Sequence, residues 1–256
     1  RLEVPLLREG DRLVATDWPT AVRRAAEGLR AAGGPVRAIV SAAAANESLY
    51  ALRRVLAALG SGGGLFRVPQ GEEAVLKGFP KLRLRADRVP NAVGAEFLGY
   101  ERADDPLASV RGHAGAVVVL EDPLADAPAD PWPNAAFVLY VGAMASPAAL
   151  AAHVCLPATT FAEMEGTYTN FEGRVQRFWP ALRPPGLARP AWMTLSRVAA
   201  ALGAGRPFAS AQEAFDAMAA EVDAFDGLRY EALGQRGALA KPARAAAAAG
   251  TGGSAP

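Results

Sequence analysis

The chain has 256 residues, 51% hydrophobic and 21% charged, with a net charge of +1 at pH 7; such a balance carries no field strong enough to recruit nucleic acid or an anionic bilayer. No stretch approaches the roughly 20 unbroken apolar residues of a membrane helix, and no basic-then-apolar leader opens the chain, so no direct membrane insertion and no export are expected. Cys155 is the only cysteine, which excludes an internal disulfide and a cluster held by cysteines of this chain alone.

The first residue is Arg1 rather than Met, and a preceding segment is expected to belong with it. Thr16 or Asp17 before Trp18-Pro19 is a helix start, because a capping oxygen there meets the orphan amides and proline costs nothing in the first turn. The helix places Val22, Ala25, Ala26 and Leu29 on one face and closes at Gly33. "VRAIVSA", Val36 to Ala42, is a short buried strand, and Asn46 is expected to cap a second helix that ends at Gly60. "GSGGG", Gly60 to Gly64, follows a helix instead of joining a strand to a helix N-terminus, so it reads as a flexible linker and not as a phosphate cradle.

The pattern resumes with "GAVVVLED" (Gly115 to Asp122) and "AAFVLYVG" (Ala135 to Gly142), continuous apolar runs of the kind found in strands covered on both faces of a parallel sheet. A short helix and turn, "ASVRGHAG", precedes the first, and "SPAALAAH", Ser146 to His153, follows the second. Beyond Trp192 come two amphipathic helices, the second opened by a Ser210–Glu213 capping box. The fold expected is α/β, a parallel-rich sheet flanked by helices, over residues 1–239. Residues 240–256 are low-complexity Ala, Gly and Pro, too poor in large side chains to offset ordering entropy, and are expected to be disordered.

Four places invite a chemical reading. Cys155, inside "HVCLP", reads as an inert core residue, although His153 two positions away makes a Cys/His dyad geometrically conceivable. His113 in "RGHAG" reads as a turn residue, and two histidines exclude a His-rich metal site. In "RVPNAVGAEFLGY" Asn91 and Gly94 read as an asparagine-capped helix with a close packing contact, a ligand approach being the alternative. The densest polar run is "LPATTFAEMEGTYTNFEGRVQRFWP", Leu156 to Pro180. It reads as a hairpin or looped ribbon with Gly173 at the turn, in which Glu172 and Arg174 form a charge-assisted pair and Asn170 and Gln176 satisfy backbone groups. An ordered polar loop and a ligand grip remain open from the residues alone.

The segment from Leu156 to Gly203 also resembles the signature near the end of the catalytic core of the molybdopterin oxidoreductase superfamily, with Leu-Pro, Ala, Thr, Glu, Gly, Thr, Asn, Glu-Gly-Arg and Gln in order. Within it the chain is most similar to the branch that contains the large iron–sulfur subunit of bacterial NADH:quinone oxidoreductase, respiratory complex I. "RLEVPLLREGDRLVATDWPTAV" and the "FDGLRY" turn resemble the flanks of that core. The resemblance implies a reduced, non-catalytic scaffold among the other subunits of a peripheral arm, cytoplasmic and peripheral to the inner membrane. It implies no cofactor in this portion, the iron–sulfur clusters lying in a preceding segment or neighbouring subunits. The family's metal ligand has no counterpart here, and no room is left after Gly237 for its C-terminal barrel, so no metal ligand is expected. If a pterin binds, the resemblance puts Thr167, Asn170, Glu172, Arg174 and Gln176 on it. The alternatives are part of a molybdopterin-dependent, formate dehydrogenase-like enzyme with bound pterin, and an α/β ligand-binding module of unknown specificity.

Overall fold

The computed structural model describes residues 1–122 and 124–241. In chain order the elements are β1 (Leu6–Glu9), β2 (Arg12–Ala15), α1 (Trp18–Ala31), β3 (Arg37–Val40), α2 (Asn46–Ala58), β4 (Leu65–Phe66), β5 (Ala74–Val75), β6 (Arg83–Leu84), α3 (Ala92–Phe97) and β7 (Glu101–Arg102). There follow β8 (Ala116–Leu120), β9 (Phe137–Gly142), α4 (Pro147–Leu150), β10 (Val154–Pro157), β11 (Gly166–Thr169), β12 (Arg174–Phe178), α5 (Ala191–Ala201), α6 (Ala211–Glu221) and β13 (Ala238–Leu239).

Eight strands form one sheet in the order β2-β1-β10-β9-β8-β3-β4-β7. Every pair from β10 to β7 is parallel, and only β1 joins antiparallel, to β10 and β2. The apolar run of β8 follows from this position. Val118 and Leu120 enter the core shared with α1, α2, α5 and α6, whereas Val117 and Val119 enter the opposite core with Trp132, Ala148 and Cys155. With both faces covered, no position of β8 is left for a polar residue. Chain order runs outward from β3 through β4 to β7, then returns to β8 on the other flank of β3. The β3–β8 boundary is therefore the point where strand order reverses, the usual place for a crevice at the carboxyl ends of such a sheet.

Asp17 caps α1 by accepting the Thr20 amide at 2.8 Å, and Pro19 sits in the first turn as the sequence requires. The buried face of α1 is Trp18, Ala21, Ala25, Ala26 and Leu29, with Val22 only partly covered. Gly28 is fixed by close approach: a Cβ there would fall 2.1 Å from the Phe137 ring of β9. The glycine run after α2 is not a loose linker. It leads directly into β4 of the main sheet, and a Cβ on Gly64 would meet the Ala38 carbonyl oxygen at 2.9 Å. The expected linker is open at Gly60 and Gly62 and tight at Gly63 and Gly64, where β4 slides in beside β3.

The polar run forms the expected hairpin. β11 pairs antiparallel with β12, Gly173 takes φ +78° at the turn, and β13 adds a third strand. Ser210 accepts the Glu213 amide at the start of α6; Glu213 answers to the Ala209 amide instead of that of Ser210, so the capping box is displaced by one residue. Ala240 donates to the Gly173 carbonyl and Lys241 pairs with Asp226. These two are the first residues of the stretch 240–256 expected to be disordered, and the rest of it lies outside the described residues.

Candidate functional site

Two neighbouring features occupy the carboxyl edge of the sheet: a buried polar bridge and an apolar pocket. The bridge begins at α2. Asn46 does not cap that helix; Ala45 holds the cap position, and Asn46 is its first residue, with its side chain turned across to the hairpin. Asn46 Nδ2 donates to Thr167 Oγ1 and to Thr169 Oγ1, each at 3.0 Å. Glu47 accepts the Thr167 amide at 2.9 Å and the Thr167 hydroxyl at 2.8 Å. Asn91 at the start of α3 accepts the Thr169 amide at 2.6 Å and donates to the Ala44 carbonyl at 2.7 Å. All five residues are buried. Asn91 is likewise not a side-chain cap of its helix, since its side-chain oxygen, the atom that would cap, accepts from β11.

Buried polar groups need partners, and an isolated one forfeits the free energy of its lost hydration. Here the side chains are almost wholly used: Thr167 Oγ1 both donates and accepts, whereas Asn46 Oδ1 finds no partner among the described residues. Burial pushes the Glu47 carboxyl from 4.5 up to about 7, against the opposing pull of the two Thr167 donors. Gly94 lies under the bridge, where a Cβ would fall 2.2 Å from both Asn46 Oδ1 and Asn91 Oδ1. The expected close packing contact is present, and its purpose is to admit two asparagine side chains.

The hairpin residues singled out from the sequence are not brought together. Thr167 is in the bridge. Asn170 Oδ1 accepts the amides of Glu172 at 3.0 Å and Arg174 at 2.9 Å, closing the turn. Glu172 is exposed and forms no ion pair with Arg174, whose guanidinium reaches the Gly237 carbonyl at 3.5 Å. The positive φ of Gly173 turns the two flanking side chains apart, which is why that expected pair does not form. Gln176 is exposed on β12.

The pocket, of about 460 Å³, is lined by Ala43, Pro90, Glu121, Tyr140, Ala143, Met144, Thr159, Thr160, Phe161 and Tyr168. Ala43, Glu121, Ala143 and Thr159 follow the carboxyl ends of β3, β8, β9 and β10, so the pocket opens at the reversal point. Glu121 has φ +56°, a left-handed conformation that a non-glycine residue adopts at a cost of about 1–3 kcal/mol and that clusters at functional sites. Its Oε1 is shielded from solvent without a hydrogen-bond partner among the described residues, and burial raises its carboxyl from 4.5 to about 8. The sequence carries no signal for this residue, because glutamate rarely marks a positive φ.

Cys155 is fully buried, donates to the Ala149 carbonyl at 3.1 Å, and has its thiol pushed up to about 12 by burial. His153 belongs to the other face. Its ring stacks on Phe137 beneath α1, and Nδ1 accepts the Val138 amide at 3.0 Å. The chain bends at the start of β10, which separates the two and removes the dyad. His113 turns onto the Ala116 carbonyl at 3.2 Å, as a turn residue does.

The side chains that line this pocket offer no cation to a phosphorylated pterin. An anionic ligand requires cations or free amides, yet the side chains lining the pocket include no Lys, Arg or His and do include an acid. The first turn of α2, which would favour an anion, already carries Glu47, and Ser48 beside it faces Glu121.

Comparison with known proteins places these features in a family. The chain is 45% identical over 85 residues to F420-dependent formate dehydrogenase 2 subunit alpha of Methanococcus maripaludis, covering 32% of this chain and 13% of that protein. It is 28% identical over 168 residues to formate dehydrogenase H of Escherichia coli, covering 62% of this chain and 24% of that protein. It is 41% identical over 76 residues to the mitochondrial NADH-ubiquinone oxidoreductase 78 kDa subunit of Candida albicans, covering 30% of this chain and 11% of that protein. The matches thus span at most a quarter of each of these relatives. The family description of molybdopterin oxidoreductases matches residues 1–78 and 122–201, more than half of the sequence, and the chain belongs to that family.

Proposed function

We propose that this chain is a non-catalytic structural portion of a protein akin to the large iron–sulfur subunit of NADH:quinone oxidoreductase. It would support the peripheral arm that carries electrons from NADH to quinone, on the cytoplasmic side and peripheral to the inner membrane. The clusters would lie in a preceding segment or in neighbouring subunits, and its partners would be the other subunits of that arm. The observation that carries this reading is the bridge: Thr167 and Thr169 are spent on Asn46, Glu47 and Asn91, so the polar run serves the fold. Among the described residues no helix is long and apolar enough to cross a membrane, which is compatible with a role beside one.

The likeness to formate dehydrogenases favours a second reading, part of a pterin-dependent oxidoreductase. Elemental analysis of the protein purified from its native host separates the two. The structural reading expects molybdenum and tungsten far below one atom per chain, with clusters and NADH–quinone activity in the co-purifying assembly. Stoichiometric molybdenum or tungsten would overturn it.

A further inference from the structure

The pocket has a chemistry of its own, independent of the bridge. Its wall is mostly apolar, from Ala43, Pro90, Tyr140, Ala143 and Tyr168, and Met144 and Phe161 stand exposed at its mouth, 52% and 65% accessible. At its inner end a carboxyl oxygen, Glu121 Oε1, is withdrawn from water and makes no hydrogen bond of normal geometry among the described residues, while the Ser48 hydroxyl faces the carboxyl and partly offsets the cost of its burial. The backbone of Glu121 is held in a left-handed conformation at the reversal point of the sheet. Apolar walls with one convergent polar group are the usual make-up of a small-molecule site, and the polar group sets the sign of the ligand. We infer that this pocket binds a small cation carried on an apolar body, such as an amidinium or ammonium on a ring, with Glu121 as its counter-ion.

The surroundings agree. Tyr140 and Tyr168 face Glu121 with hydroxyls whose ionisation burial pushes upward, to about 12 for Tyr140, so both stay neutral. Glu47 is engaged by Thr167 behind Tyr168. Asp122, next in the chain, is turned away to the Leu124 amide and Arg67. Among the described residues that line the pocket there is no Lys, Arg or His to compete for the carboxyl, and Arg67 is held by Asp122 and Asp126. Burial holds Glu121 up to about 8, so an arriving cation returns it to the charged form and a proton leaves to solvent.

The test is calorimetric titration of the full chain with benzamidinium, with benzamide and benzoate as a neutral and an anionic control of the same shape. Benzamidinium is expected to bind at one site at least about tenfold more tightly than either control. Glu121→Gln is expected to remove that preference. Met144→Lys, a change at an exposed position that leaves folding intact, is expected to weaken benzamidinium about tenfold by placing a like charge at the mouth. Absence of saturable benzamidinium binding, equal binding of the controls, or unchanged affinity in both variants overturns the inference.

Discussion

Glu47 holds Thr167 at two points, accepting its amide at 2.9 Å and its hydroxyl at 2.8 Å, across 120 residues of chain. This contact ties the first turn of α2, which follows β3, to the hairpin whose sequence carries the family signature. It is buried, so its energy depends on every partner being present.

The first consequence is a pH dependence. Burial raises the folded-state pKa of Glu47 to about 7 and of Glu121 to about 8, from 4.5 in both cases. A carboxyl with a raised folded pKa favours the folded state while protonated, so its contribution is full below about 4.5 and is lost as pH rises through 7 and 8. The carboxyls of Asp17 and Asp126, held down by Thr20 and Arg67, act in the opposite sense on the acid side. Urea unfolding is expected to give greater stability near pH 5.5 than near pH 8.5. Glu47→Gln is expected to flatten that slope, and Glu121→Gln to flatten its upper part.

Gly94→Ala offers a second, steric test. The new Cβ would fall 2.2 Å from two buried amide oxygens, which forces Asn46 and Asn91 off their threonine partners. Overpacking of this kind costs about 1–3 kcal/mol. Denaturant melts of the variant are expected to show a lower midpoint with an unchanged m-value.

At the hairpin tip the expected effects divide sharply between neighbours. Asn170 accepts two backbone amides, and Asn170→Ala is expected to cost about 1 kcal/mol. Glu172, exposed and without an ion pair to Arg174, is expected to tolerate alanine within about 0.5 kcal/mol. Equal destabilisation by the two would mean that Glu172 has a partner in solution.

Cys155 is expected to react with thiol reagents far more slowly in the folded protein than in urea, because the thiolate that reacts is suppressed by burial. Cys155→Val is expected to cost less than about 1.5 kcal/mol, as a nearly volume-conserving change.

How far the sequence announces this structure depends on how local each signal is. Helix α1 is announced by Asp17 and Pro19, β8 and β9 by unbroken apolar runs, and the hairpin by Gly173, all signals contained in a few residues. The two-residue strands β4 to β7 are too short to leave a periodicity. Both asparagines of the bridge mislead: Asn46 stands one residue past the cap of α2 and Asn91 at the cap position of α3, and the arrival of β11 from far along the chain takes up their side chains. The polar run is legible as an ordered hairpin, but its partners lie on α2 and α3 instead of within itself. Glu121 leaves no trace, since its strain and its burial are both products of tertiary packing.

The most direct test of a structural role for the polar run is a double-mutant cycle on Glu47 and Thr167, measured by urea unfolding of the purified chain without added cofactor. Thr167→Val and Glu47→Gln are each expected to cost about 1–3 kcal/mol, the penalty for stranding a buried hydrogen-bonding group. The pair is expected to cost less than the sum by at least about 0.5 kcal/mol, because each residue is the other's partner. Parent-like stability in both single variants, with no coupling between them, would contradict the claim that these residues hold the fold.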